Sequence, residues 1–288
     1  MRVFINPLKK FREIKALAFD LDGTLLGPGA VLSERSVRAI HSCTEKGLRI
    51  IIATGRALEA AEKFRIPLEA AGPMVYFNGA IVADMPERKI LHTTFLAPEI
   101  ADFCADLSRE TGVYYQVFIS GTPENPGQFL LTEKEGPERD MYRDHTGIEA
   151  EIIDIKEALK KAGSHNQGCV KAMFLAEPEI QDTLRPRIEE RYGKDVYIAR
   201  TYRTFLEIMS SQVSKGRGLS LALQHLGIKL EETAVFGDEE NDLPMFEAAG
   251  LSAAPANAKD SVRAAADLVI GSNAEDGVAA FLEETFLS

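Results

Sequence analysis

The chain has 288 residues, 45% of them apolar and 27% charged, the make-up of a folded globular protein rather than a disordered, collagenous or disulfide-stapled one. Forty-four acidic against thirty-three basic residues leave a formal charge of −11, which argues against nucleic acid or an anionic membrane as partner. At roughly 100–200 residues per domain, the length predicts two domains or one large α/β unit. From Ala16 the run ALAFDL is short, continuous and apolar, as suits a strand buried on both faces of a parallel sheet, with Asp20 at its carboxyl end. Ser33 offers an N-cap for a helix to about Lys46, closed by Gly47, and LRIIIA (48–53) is a second β-branched run before Thr54-Gly55-Arg56. Another helix leads to MVYF (74–77), then to the hairpin-type turn signal Asn78-Gly79 and AIVA.

From about Asp84 to Met209 the texture changes. Strands near 90–95, 113–118, 128–132 and 169–175 mix with helices near 98–110 and 177–192, which predicts a second, α+β domain. Asp154 and Glu157 form a capping signature for a helix to about Lys161, and Pro123, Pro126 and Gly127 mark a loop. After Ser214 the strand-helix alternation resumes: a helix at 215–226, TAVFG (233–237), a helix near 241–248, LSAA, a helix at 258–266, DLVI (267–270) and a terminal helix. The expected fold is α/β, a doubly wound parallel-sheet (Rossmann-like) core of residues 1–83 and 210–288 interrupted by an inserted α+β cap, 84–209. About a dozen residues precede the first strand as an extension.

Cys43, Cys104 and Cys169 lack the paired spacing of a thiol zinc site and read as free thiols of a reducing compartment, so the expected location is cytoplasmic. The first fourteen residues hold no signal-like apolar stretch, and no run approaches the ~18–20 apolar residues of a membrane span.

Asp20-Leu21-Asp22-Gly23-Thr24 places two acids at the carboxyl edge of the sheet, where open α/β sheets build their sites. Such a pair also occurs in metal-dependent glycosyltransferases and in plain solvated loops. Gly237-Asp238-Glu239-Glu240-Asn241-Asp242 follows another buried strand and adds Asp238, Asp242 and an amide at that edge, while Glu239 and Glu240 read as the exposed start of a helix. Four acids together repel unless a cation holds them, and an oxygen-only cluster suits Mg²⁺. Thr54 and Gly55 offer a hydroxyl and a backbone N–H to a phosphate. Lys215 stands at a helix N-terminus, where the macrodipole disfavours a cation, so a functional cause is expected.

The ordered set DLDGT (20–24), TGR (54–56), Lys215 in VSKG and GDEEND (237–242) resembles the haloacid dehalogenase superfamily, and FNGA (77–80) with EDGVA (275–279) is similar to its Cof-type sugar-phosphatase branch with a large α/β cap. The resemblance implies a phosphatase in which Asp20 is the nucleophile that forms an aspartyl-phosphate and Asp22 the general acid and base. It implies Mg²⁺ held by the Asp20 and Asp238 carboxylates and the Asp22 carbonyl, a phosphate bound by Thr54, Gly55, Lys215 and Asn241, and Asp242 in support. Ionised Asp20, Asp238 and Asp242 against Mg²⁺ and Lys215 then bring the site to about zero charge, and like charges are expected to keep Asp22 protonated for its acid role.

The implied partner is a small phosphorylated metabolite, a sugar phosphate first of all, selected by the cap, which is expected to cover the sheet edge as a lid on paired hinges. His92, His145, His165 and Arg143 are polar residues of that segment and read as solvated surface. The sequence departs from the family at AAPANA (253–258), where Pro255 is expected to stiffen a loop bordering the site and Asn257 keeps the amide. A phosphosugar mutase of the same superfamily and a non-catalytic sugar-phosphate-binding protein are the alternatives. Neither the physiological substrate nor the oligomeric state is legible in the sequence.

Overall fold

The computed structural model describes residues 13–120, 129–201 and 203–287. The N-terminal extension and the loop of Pro123, Pro126 and Gly127 lie outside these. The described residues form two compact units, one chiefly of residues up to Arg56, 61–87 and from Ser214 on, the other chiefly of Arg88–Val213. No helix among them is long and apolar enough to cross a membrane.

In the first unit, five parallel strands stand in the order Leu268–Ile270, Leu251–Pro255, Thr233–Phe236, Ala16–Phe19 and Arg49–Ile52. Ala16–Phe19 and Thr233–Phe236 are buried along their whole length, which is why both read as unbroken apolar runs. Phe19 pairs in register with Phe236 on one side and Ile52 on the other, and the Phe19 and Phe236 rings stack at 4.8 Å. Strands that end in register deliver the residues that follow them to one edge, so Asp20, Ala53-Thr54 and Gly237-Asp238 emerge together. A bridge between Ala53 and Val75 continues the sheet to Gly72–Tyr76, which turns through Phe77–Gly79 into the antiparallel Ile81–Met85.

Two helices of this unit carry side-chain caps at their starts, the first at the predicted Ser33. The Ser33 hydroxyl accepts from the Ser36 N–H at the start of Glu34–Glu45, and Ser214 caps Lys215–Leu226. The segment near 241–248 enters as a 3₁₀ turn, Glu240–Asp242, before the α-helix Leu243–Ala248. One expectation needs correction: Pro255 is the buried last residue of a strand, paired with Ile270, and not part of a loop. As the last residue of its strand, Pro255 interrupts no interior rung of the ladder by lacking an N–H.

The second unit is a six-stranded sheet in the order Val196–Thr201, Phe205–Ser210, Cys169–Leu175, Tyr114–Ile119, Phe129–Thr132 and Glu151–Ile152, antiparallel except for its last pair. Alternate residues Tyr115, Val117 and Ile119 share a core with Ala172, Phe174, Leu206 and Ile208 and with helices Pro98–Thr111, Ile155–Gly163 and Pro178–Tyr192. Asp154 caps the second of these through the Glu157 N–H. The helix Pro137–Thr146 and the strands of 196–210 have no counterpart in the sequence reading. That helix buries only Tyr142, and the strand Phe205–Ser210 hides its apolar pattern behind a buried acid, Glu207, which the Lys171 ammonium pairs at 2.8 Å.

Candidate active site

Three carboxylates and one ammonium meet at the shared strand edge. Lys215, the first residue of its helix, lies buried with Nζ 2.6 Å from Asp20 Oδ1 and 2.7 Å from Asp242 Oδ1. The helix can bring it there because two glycines stand where it crosses the 77–80 turn. Gly79 has φ of 99°, and a Cβ on it would lie 2.2 Å from the Ser214 carbonyl oxygen. Asp242 places its other oxygen on the N–H groups of Asp238 and Glu239, both at 3.0 Å. Both its oxygens are thus engaged within the protein, and it serves as a strut between Lys215 and the 238–239 loop.

Asp238 accepts from the Thr24 hydroxyl at 2.7 Å through Oδ1. Its Oδ2 faces Gly23, whose φ of 82° and lack of a Cβ let the two loops touch; a Cβ there would fall 2.2 Å from that oxygen. Asp20, Asp238 and Asp242 each offer an oxygen within 4.8 Å of the others. Since Asp242 is spent, the oxygens left for a ligand are those of Asp20 and Asp238. This oxygen-only pair fits a hard divalent cation such as Mg²⁺, which takes a few carboxylates and completes its shell with water.

The charges follow from burial. Burial pushes the Asp20 carboxyl well above the usual range; Lys215 opposes, and Asp242 and Asp238 add to it. Burial likewise lifts Asp238, to about 6, against the Thr24 hydrogen bond. Burial alone would lower Lys215, but Asp20 and Asp242 outweigh it and hold the ammonium charged.

Asp22 stands apart from this cluster. Its carboxylate, about half exposed, accepts from Nε and Nη2 of Arg56 at 2.7 and 2.6 Å, and the guanidinium lies 4.9 Å from the Phe64 ring centre. Asp22 is thus paired with a cation, whereas the sequence reading set it among like charges. Thr54 is buried, and its hydroxyl accepts from the Arg56 N–H at 3.1 Å, which leaves a hydrogen to donate. Gly55 lies against the Asn78 amide, and Asn78 Oδ1 accepts from Asn241 Nδ2 at 2.9 Å. Thr54, Gly55 and Asn241 are thus joined through Asn78, whose N–H also donates to the Thr54 carbonyl at 3.0 Å.

Arg56 and Asn78 are residues of this site to which the sequence assigned no role, although both stand inside motifs, TGR and FNGA. In the second unit, His92 contacts Thr94, His145 packs on Phe205, His165 meets the Lys161 carbonyl, and Arg143 pairs with Asp140, Asp144 and Glu149.

The family model described as haloacid dehalogenase-like hydrolase matches residues 17–282, from the strand Ala16–Phe19 to the helix Gly277–Leu282. The chain belongs to the haloacid dehalogenase-like hydrolases. Phosphatase YwpJ of Bacillus subtilis is 30% identical over 285 residues, covering 92% of this chain and 98% of its own. A second B. subtilis relative, the 5-amino-6-(5-phospho-D-ribitylamino)uracil phosphatase YcsE, is 27% identical over 93% of this chain and 94% of its own. The crystal structure of TM0651 from Thermotoga maritima superposes with a TM-score of 0.81 at 30% identity, over 94% of this chain and 97% of that one. The haloacid dehalogenase-like hydrolase described here is a phosphoric monoester hydrolase.

Proposed function

We propose that the enzyme hydrolyses small phosphorylated metabolites, sugar phosphates among them, in a Mg²⁺-dependent reaction that passes through an aspartyl-phosphate on Asp20. The observation that carries this reading is the buried Asp20, held through one oxygen by Lys215 with its other oxygen available at the sheet edge. A carboxylate so fixed presents one lone pair in one direction, the preorganisation that in-line attack on phosphorus requires. Asp22 protonates the leaving oxygen and then takes a proton from the attacking water, with Arg56 setting its orientation. Thr54, Gly55, Lys215 and Asn241 bind the phosphoryl oxygens.

Asp20, Asp238 and the Asp22 carbonyl are the groups that would hold Mg²⁺, which supplies charge neutralisation when bound. Asp20, Asp238 and Asp242 against Lys215 leave two negative charges, which a divalent cation offsets before a phosphate dianion enters. Discrimination among substrates is assigned to the Arg88–Val213 unit, and the substrate for which YcsE is named, a phosphorylated ribityl chain, supports a polyol phosphate. We place the activity in the cytoplasm, in keeping with the buried thiols of Cys43, Cys104 and Cys169.

A panel of phosphorylated metabolites assayed with Mg²⁺ by kcat/KM tests the reading. Steady release of inorganic phosphate from sugar and polyol phosphates, without a bisphosphate activator, is expected. Transfer to a second hydroxyl instead of water, or no turnover across the panel, would refute it. EDTA is expected to abolish turnover, with Mg²⁺ restoring it better than Ca²⁺ because in-line transfer favours the tighter, octahedral shell.

The cation should also stabilise the fold in a pH-dependent way. A carboxyl whose folded pKa is raised gives stability that is complete below its unfolded value, about 4, and is lost as pH rises through the folded one, about 6 for Asp238. Above pH 6 the metal-free protein thus carries uncompensated buried charge, which Mg²⁺ relieves. At about a hundredfold excess over its dissociation constant, the ion should raise the Tm by roughly 4–5 °C at pH 7.5 and by much less at pH 5. An equal shift at both pH values would contradict the assignment of Asp238.

A further inference from the structure

The turn that follows strand Leu251–Pro255 touches both loops that carry the site acids. Asn257 Nδ2 donates to the Gly23 carbonyl at 2.8 Å, one residue beyond Asp22. Two residues on, the Lys259 N–H donates to the Asp238 carbonyl at 3.1 Å, and Lys259 Nζ pairs with Glu239 at 2.8 Å. The other end of the Asn257 amide is also used: its Oδ1 accepts from the Asn273 N–H at 2.9 Å and from the Ser272 hydroxyl at 3.4 Å. Asn273 in turn donates through Nδ2 to the Leu26 carbonyl at 2.8 Å. The segment from Gly23 to Leu26 is therefore held at both ends by side-chain amides, from turns that follow two different strands.

This matters at Gly23 because the loop has almost no slack there. Gly23 lies against Asp238 Oδ2 with no room for a Cβ, and Thr24 hydrogen-bonds Asp238 Oδ1. A shift of the Gly23 carbonyl moves the Asp22 carbonyl and the Asp20–Asp238 spacing together. We infer that Asn257 is a positioning residue of the hydrolytic site: by holding the Gly23 carbonyl while the Lys259 N–H holds that of Asp238, it fixes the distance between the nucleophile loop and the Asp238 loop. The inference rests on the function proposed above, and it gives a role to the amide that AAPANA keeps and to the turn at Ser272 and Asn273.

The two ends of the amide can be separated by substitution. Asn257→Asp keeps an acceptor for Asn273 and Ser272 but loses the donor to Gly23, whereas Asn257→Ala loses both. Two quantities are read for each: kcat and KM on the best substrate of the panel, and amide hydrogen exchange of peptides covering 21–27 in the metal-free protein, with peptides from 34–45 as the folding control. Loss of a hydrogen bond worth about a tenfold change in an equilibrium sets the scale. Both variants are expected to exchange faster in 21–27 with 34–45 unchanged, and to lower kcat about tenfold with KM within twofold.

If Asn257→Asp matches the unsubstituted protein in exchange and in kcat, the residue only anchors the 272–276 turn and the inference is overturned. Faster exchange without a fall in kcat, or a fall in kcat without faster exchange, overturns it as well. Because the exchange readout uses neither substrate nor metal, a failure of the proposed function appears in the panel and not here.

Discussion

Asp20→Asn should preserve the fold and lower kcat by at least about 10⁴-fold, the scale seen when a covalent nucleophile is removed from a hydrolase. The amide has nearly the shape of the carboxylate, and its oxygen can still accept from Lys215 at the position now 2.6 Å from Nζ. Its nitrogen cannot attack phosphorus. The substitution also removes a carboxyl that burial has pushed well above its usual range, so no large loss of Tm is expected. Steady-state kinetics on protein free of unsubstituted enzyme, with a melting curve beside it, decides the matter. Appreciable turnover by the folded variant would exclude Asp20 as nucleophile.

Lys215→Met should damage stability and catalysis together. The ammonium is the cation that both Asp20 and Asp242 touch, and all three side chains are buried. Breaking a buried ion pair by removing one partner costs about 3–5 kcal/mol, because the remaining charges stay desolvated. The sign with pH follows: without Lys215 the folded-state pKa of the buried Asp20 carboxyl rises further, so stability is kept below about pH 4 and lost as pH increases. The gap in denaturation midpoint between Lys215→Met and the unsubstituted protein should therefore be wider at pH 8 than at pH 5. On the proposed role of Lys215 toward the phosphate, kcat/KM should fall by about 10²–10³-fold as well. A gap that does not depend on pH would mean that Lys215 is held by packing and not by the two carboxylates.

Three of the four chemical segments were legible because each follows a largely buried strand, and such strands announce themselves as apolar runs that stop at a polar or glycine residue, whereas Lys215 showed only as a cation at a helix N-terminus. Parallel pairing then brings the stops of Ala16–Phe19, Arg49–Ile52 and Thr233–Phe236 to one edge. What a run cannot display is which side chain answers which. Arg56 lies 34 residues from Asp22, and Asn241 lies 163 from Asn78, so their pairing depends on the closed sheet and not on spacing. The same holds for Asp242, whose motif position says that it is near the site but not that both its oxygens are consumed inside it.

In the second unit the buried Lys171–Glu207 pair and the polar helix Pro137–Thr146 defeat pattern reading for another reason. Charge inside a core and polarity over a helix contradict the periodicities on which such reading rests.

The central claim is that phosphate leaves its ester for Asp20 before it meets water. The stereochemical course at phosphorus tests this most directly, using a substrate whose phosphoryl group is made chiral with oxygen isotopes. Two successive in-line displacements, first by Asp20 and then by water, predict retention of configuration in the transferred group. Inversion, the mark of a single displacement by water, would contradict the account.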